Sequence, residues 1–346
     1  SAPAGTPGVG AVGGLAASGA ANRIVLTRGA GANAWLGVVT VVECLSACDT
    51  NGFRLRDVDR IVNTGSAGAA DSDGTAWGTL ARVVFFGGVN VAGCVTADVT
   101  VVDHESCHVR LFPSGTNTIN WLRQNADADV TTSTVMSVEF GSAWGVQRVR
   151  VGPLAPTAPA TADDGGDGLN VAAEWNTMPI PTSVVRAQTW VWGTGFTSQP
   201  NAGNSAEGAV ITLGDGLVQN ASESAVAVGT EEPGGTNTVV DFDVYVMTHP
   251  FLATDWDFKA DGDPSCGIGG GGAQTCNVTT NSATANRLSL VYNGTNEGGT
   301  TYPRSLLAAR YSTATNIELL RRRSGTDYPA WVQGVGFNAV NTQTCV

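Results

Sequence analysis

Three kinds of residue in this chain could hold a metal, move a proton or form a covalent link. The first is cysteine: Cys44, Cys48, Cys94, Cys107, Cys266, Cys276 and Cys345. The first six fall as three close couples along the chain. Bridging within each couple across a turn is the simplest reading, although six cysteines permit many connectivities. Disulfides imply an oxidising, extracellular setting. Cys44 and Cys48 could instead be half of a zinc site, but no second half at ligand spacing follows. Cys345 is left over, free or bonded to another subunit. The second kind is aspartate. Asp255, Asp257, Asp261 and Asp263 lie in a Gly-containing stretch that would offer hard oxygen ligands to Ca2+, as would Asp71 with Asp73 and Asp163 and Asp164 with Asp167. None has the EF-hand spacing, and calcium is the one cofactor the sequence suggests. The third is histidine, present only as His104, His108 and His249. Asp103, His104, Cys107 and His108 make a candidate metal set; a strand–turn–strand closed by Cys94–Cys107 is the plainer reading.

Catalysis finds little support. A serine or cysteine hydrolase needs a base held against its nucleophile, and no glycine-elbow serine is present. A glycosidase needs two carboxylates across one cleft, whereas these acids cluster in turn segments such as "DSDG" and "DDGGDG". Trp77, Trp144, Trp190 and Trp192 could offer sugar-stacking faces, but at alternating positions of strands they read as core. Three sequons, at Asn220, Asn277 and Asn293, would accept glycan in a secreted protein. The expectation is a protein that is not an enzyme.

Charge narrows the partners. The 346 residues carry a formal net charge of −12, and lysine occurs once, at Lys259. That balance argues against gripping nucleic acid through its phosphates. No apolar run is long enough for a membrane-spanning helix, and no signal peptide is visible.

The elements that must carry these residues read as all-β. Val, Thr, Gly and Asn are abundant, helix formers are scarce, and no long segment has a clean helical period. Four stretches share one layout, a short strand, a polar turn and an alternating strand: 23–44, 118–140, 225–246 and 317–337. Each reads as a hairpin. Arg28, Arg123 and Arg323 end the first strand in three of them. The copies recur about every 100 residues, the length of a β-sandwich domain. Upstream of the last three lies a strand running into a glycine turn, "RIVNTG", "WVWGTG" and "LVYNGT", then a further strand. The chain therefore divides into an extended Gly/Ala-rich arm (1–22), a first unit with the extra hairpin (23–145), a second (146–250) and a third (251–346). A Pro-rich linker (151–168) and a loop-rich stretch (249–276) separate the units. The arm reads either as a disordered tail or as a segment lying extended in a groove of its own or a neighbouring subunit by strand addition, with Val9, Val12 and Leu15 in shallow pockets.

The strand entry at Gln147 and Arg148, the Ala309–Arg310 strand and the Arg-ended closing pair resemble the tandem β-sandwich repeats of secreted and virion structural proteins. The resemblance implies jelly-roll or immunoglobulin-like sandwiches and self-assembly. The expected function is a structural subunit of an extracellular or cell-surface filament, tube or layer, or of a virion, with copies of itself as partners. Arg321 and Arg322 and the spare Cys345 are candidate intermolecular contacts. The alternative is a calcium-dependent adhesin or carbohydrate-binding module with glycan as its ligand.

Overall fold

The computed structural model describes residue 44 and residues 47–64, 68–73, 76–91, 109–122, 130–154, 175–198, 209–230, 239–259, 274–279, 287–293, 308–313, 315–321 and 330–337. Among the described residues the regular elements are β-strands and two single-turn 3-10 helices, and the all-β expectation holds. β1 (Phe53–Thr64), β2 (Gly68–Ser72), β3 (Val83–Val91), β4 (Arg110–Pro113), β5 (Thr118–Leu122) and β6 (Val130–Phe140) come first. They form two antiparallel sheets, β1-β6-β3 and β2-β5-β4. β7 (Gly145–Leu154), β8 (Trp175–Val185), β9 (Thr189–Ser198), β10 (Ala209–Leu213), β11 (Ser222–Thr230) and β12 (Val239–Thr248) follow, as β7-β12-β9 and β10-β11-β8. β13 (Leu252–Lys259), β14 (Gln274–Thr279), β15 (Arg287–Asn293), β16 (Ala308–Thr313), β17 (Asn316–Arg321) and β18 (Ala330–Phe337) form β13-β18-β15 and β14-β17-β16. Counted within each six, the order is 1-6-3 and 2-5-4 every time.

This order corrects the hairpin reading. The strands of 118–140 are β5 and β6, and they lie in different sheets. The same holds for β11 with β12 and for β17 with β18. Each recurring pair supplies the central strand of one sheet and then the central strand of the other. Central strands are flanked on both sides. The hairpins are formed by the fourth and fifth strands, β4–β5, β10–β11 and β16–β17.

Three smaller expectations also change. "WVWGTG" is not a strand entering a turn but the middle of β9. Its glycines lie against the second set's interior: a Cβ on Gly195 would strike the Phe242 ring, and one on Gly193 would strike Ile211. β7 runs on to Leu154, into the start of the expected linker. β13 occupies 252–259, inside the stretch expected to be loop.

The two sheets of the second set share one interior. Val149, Val151, Val191, Val244 and Val246 from β7-β12-β9 meet Trp175, Ile211, Leu213, Val226 and Val228 from the other sheet. The opposite side of β7-β12-β9 is buried as well. There Trp190, Tyr245 and Met247 join Phe85, Leu111 and Phe140 of the first set, together with Val335 and Phe337 of the third. One sheet is thus a wall shared by two cores, and its central strand β12 buries four successive apolar residues, Val244 to Met247, for that reason.

Candidate functional site

The most concentrated polar chemistry lies where one set of strands meets the next. Asp241 and Asp243 alternate on β12 and point at the first set, whose β4 brings Arg110 against them. All three side chains are almost fully buried. Arg110 donates through Nε to Asp243 Oδ2 and sits 3.5 Å from Asp241. Arg150, on β7, grips Asp241 with two bonds of 2.9 and 3.0 Å, a fork geometry available to guanidinium alone. Arg148 lies 3.6 Å from Asp243. Burial lifts the Asp243 carboxyl above its ordinary value, against the pull of Arg110. Asp241, in turn, raises Arg150. Beside these charges the Leu111 N–H donates to Thr194 Oγ1, which itself donates to the Leu111 carbonyl. Tyr245 and Trp192 donate to the carbonyls of Leu111 and Phe85.

The joint between the second and third sets uses the same elements with other residues. Gln333, wholly buried on β18, accepts from Val191 N–H and donates to the Thr189 carbonyl. Its amide takes both bonds a neighbouring strand would make with β9. The Arg186 guanidinium lies over Trp256 at 5.1 Å and bonds Glu223 and the Leu213 carbonyl. Arg186 belongs to the 3-10 turn Arg186–Gln188, which leads into β9 as Leu80–Arg82 leads into β3. In the first set that approach is fixed by Glu139. Its carboxylate accepts from the Gly78 and Thr79 N–H groups and from Arg56. Burial pushes Glu139 up, but the Gly78 bond and Arg56 outweigh it and hold the carboxyl below its usual value.

Both connections between sets meet in one aromatic cluster. Trp144, between β6 and β7, packs on His249 and Phe251, between β12 and β13. His249 Nδ1 accepts from the Phe251 N–H, and burial holds its pKa down to about 4.

A second polar cluster lies inside the first set. Asp57, Asp59 and Asp73 bring carboxylate oxygens within 4.8 Å of one another. Asp73 is buried and accepts from Trp77 Nε1 and Ser137 Oγ. Burial, a hydrogen bond shared with Asp73 and the charges of Asp73, Asp57 and Asp71 push Asp59 up to about 7. The oxygen donor set suits a hard cation such as Ca2+; without one, a proton on Asp59 separates the like charges.

Of the expected ligands, Asp73 belongs to this cluster and Asp71 stands beside it; the structure adds Asp57 and Asp59. The signal was the run "RDVDRI", which puts two acids on the side of β1 that buries Ile61. Asp255 and Asp257 stand two apart on β13, and Asp255 accepts from the Trp256 N–H. Asp261, Asp263, Asp163, Asp164 and Asp167 lie outside the described residues. Cys44 and Cys48 form a disulfide. Cys276 is on β14, paired with Leu319, while Cys94, Cys107, Cys266 and Cys345 lie outside the described residues, as do Asp103, His104 and His108. Asn220 is exposed in the loop before β11. Asn277 and Asn293 belong to β14 and β15. Arg321 ends β17; Arg322, Val9, Val12 and Leu15 lie outside the described residues. Trp77, Trp144 and Trp190 are buried and present no face to a sugar.

Among the described residues no helix is long and apolar enough to cross a membrane. Comparison with known families, curated proteins and solved structures returned no match.

Proposed function

We propose that the protein is a structural subunit that assembles with copies of itself outside the cell. The observation that carries this reading is the recurrence of one joint. The 3-10 turn, third strand and fourth strand of one set pack on the 1-6-3 sheet of the next, first at β7, β12 and β9 and again at β13, β18 and β15. A contact that repeats in one direction propagates, and open-ended contacts of this kind build filaments rather than closed rings unless the rotation closes. Buried polar side chains line both joints, where Arg110, Asp243 and Gln333 bond neighbouring strands. The Cys44–Cys48 bridge agrees with an extracellular setting. Sedimentation velocity over a wide concentration range, with negative-stain microscopy, tests the reading. Growth of elongated or sheet-like particles is expected; a monomer at every concentration overturns it.

A further inference from the structure

Residues directly opposite one another in an antiparallel ladder point to the same side of the sheet. Phe53, Leu55, Val58 and Arg60 on β1 pair with Phe140, Val138, Met136 and Thr134 on β6, and Val62 follows them in the same alternation. From β3, Val84 and Phe86 face the same side, opposite Val138 and Met136. The other side holds Ser133, Ser137 and Phe85, which touch Trp121, Asp73 and Trp77 within the first set. The first group is therefore the outside of the β1-β6-β3 sheet, and it is dominated by Phe, Leu, Val and Met. A sheet with one wet face alternates to polar residues there; this one does not. Its β3 margin is closed by Trp190 and Trp192 packed on Phe86 and by Trp190 on Phe140. The β1 side stays open, with Leu55 46% and Val62 48% exposed.

The corresponding side of the second set is closed by the first. Phe86 and Trp192 are each the fourth residue after a 3-10 turn, and they pair with Met136 and Tyr245. By that register Met136 corresponds to Tyr245, and Thr134 to Asp243. Tyr245 is 0% and Asp243 1% exposed beneath β4, whereas Met136 and Thr134 are only half-buried. The covering elements are a 3-10 turn, a third strand and a fourth strand. Residues 23–44 repeat the fifth- and sixth-strand pattern in sequence, not that of a third and fourth strand. The third set has the strands that would: β15 and β16 are edge strands of their sheets, and no fourth set stands against them among the described residues.

We infer that the outer side of the β1-β6-β3 sheet docks the β15–β16 margin of a second copy, joining copies head to tail through the joint already made twice within each chain. This inference rests on the self-assembly reading and specifies its contact. Alignment of β4 with β16 by strand start and by partner (Arg110 with Leu122, Ala308 with Leu320) places Ala308 where Arg110 stands. Thr134 of one copy and Ala308 of the next then meet as Asp243 and Arg110 do.

The test uses the full-length chain. Leu55→Glu and Val62→Glu, at exposed positions, should leave circular dichroism and melting unchanged. They should raise the concentration for half-assembly by about tenfold or more, the effect of roughly one buried apolar contact turned unfavourable. A Thr134→Cys copy mixed with an isotopically labelled Ala308→Cys copy should cross-link between light and heavy chains, as read by peptide mass spectrometry. If wild type assembles and the glutamate variants assemble equally well, or the cross-link never joins the two chains, the joint is wrong and self-assembly survives. A wild type that stays monomeric overturns both. A monomer destabilised by Val62→Glu identifies residues of its own chain as the cover, and also overturns the inference.

Discussion

At the scale of single residues, Gln333 and Asp59 make the sharpest claims. Gln333→Ala removes the two buried bonds its amide makes to the Val191 N–H and the Thr189 carbonyl. The cost should be roughly 2–4 kcal/mol, read by urea unfolding. Asp59 has the opposite character, since its folded pKa is raised to about 7 from 3.8. Between those values the folded chain keeps a proton that the unfolded chain gives up. Its stabilisation is therefore fully present below 3.8 and is lost as pH rises through 7. Asp59→Asn keeps the neutral form at every pH, so its melting temperature at pH 8 should exceed that of wild type. The two should converge in acid. Calcium added at pH 8 gives an independent check: a cation held by the three carboxylates raises wild-type melting and leaves the Asn variant unmoved. An equal response from both removes the cluster as a cation site.

At the scale of elements, the decisive object is the β4–β12 contact. Removing Arg110 alone leaves Asp243 charged and buried beside only the more distant Arg148. Arg110→Met should therefore cost about 3 kcal/mol or more, and Arg110→Met with Asp243→Leu should recover most of the loss. A double-mutant cycle in guanidinium measures both. The strands themselves were largely legible from sequence. Alternation in 118–140, 225–246 and 317–337 located β5 with β6, β11 with β12 and β17 with β18. It did not reveal that each pair crosses between sheets, because a strand folding back beside its predecessor and one crossing to a facing sheet alternate identically. Gln333 was illegible for a related reason: a glutamine at an alternating position reads as solvent-facing until the neighbouring set is in place. Asp57 and Asp59 are illegible as ligands because they stand on a strand and lack the Gly-rich loop that marks an oxygen-ligand site.

At the scale of the whole molecule, the connections between sets converge on Trp144, His249 and Phe251. His249 is buried neutral with its pKa lowered from 6.5 to about 4. As pH falls through that window the unfolded chain takes up the proton first, and stability declines. His249→Asn, which keeps an acceptor for the Phe251 N–H, should be less stable at neutral pH yet lose less on acidification; unfolding midpoints across the window decide it. The wall shared by two cores has a further consequence, in the lifetimes of its amide protons. β12 is the central strand of that wall, bonded to β7 and β9 on its flanks and covered on both faces. No partial opening of one set exposes it, because the other face stays sealed. Its amides should exchange with deuterium only through global unfolding, more slowly than those of β10 at the margin of its sheet, and native-state hydrogen exchange should rank them so.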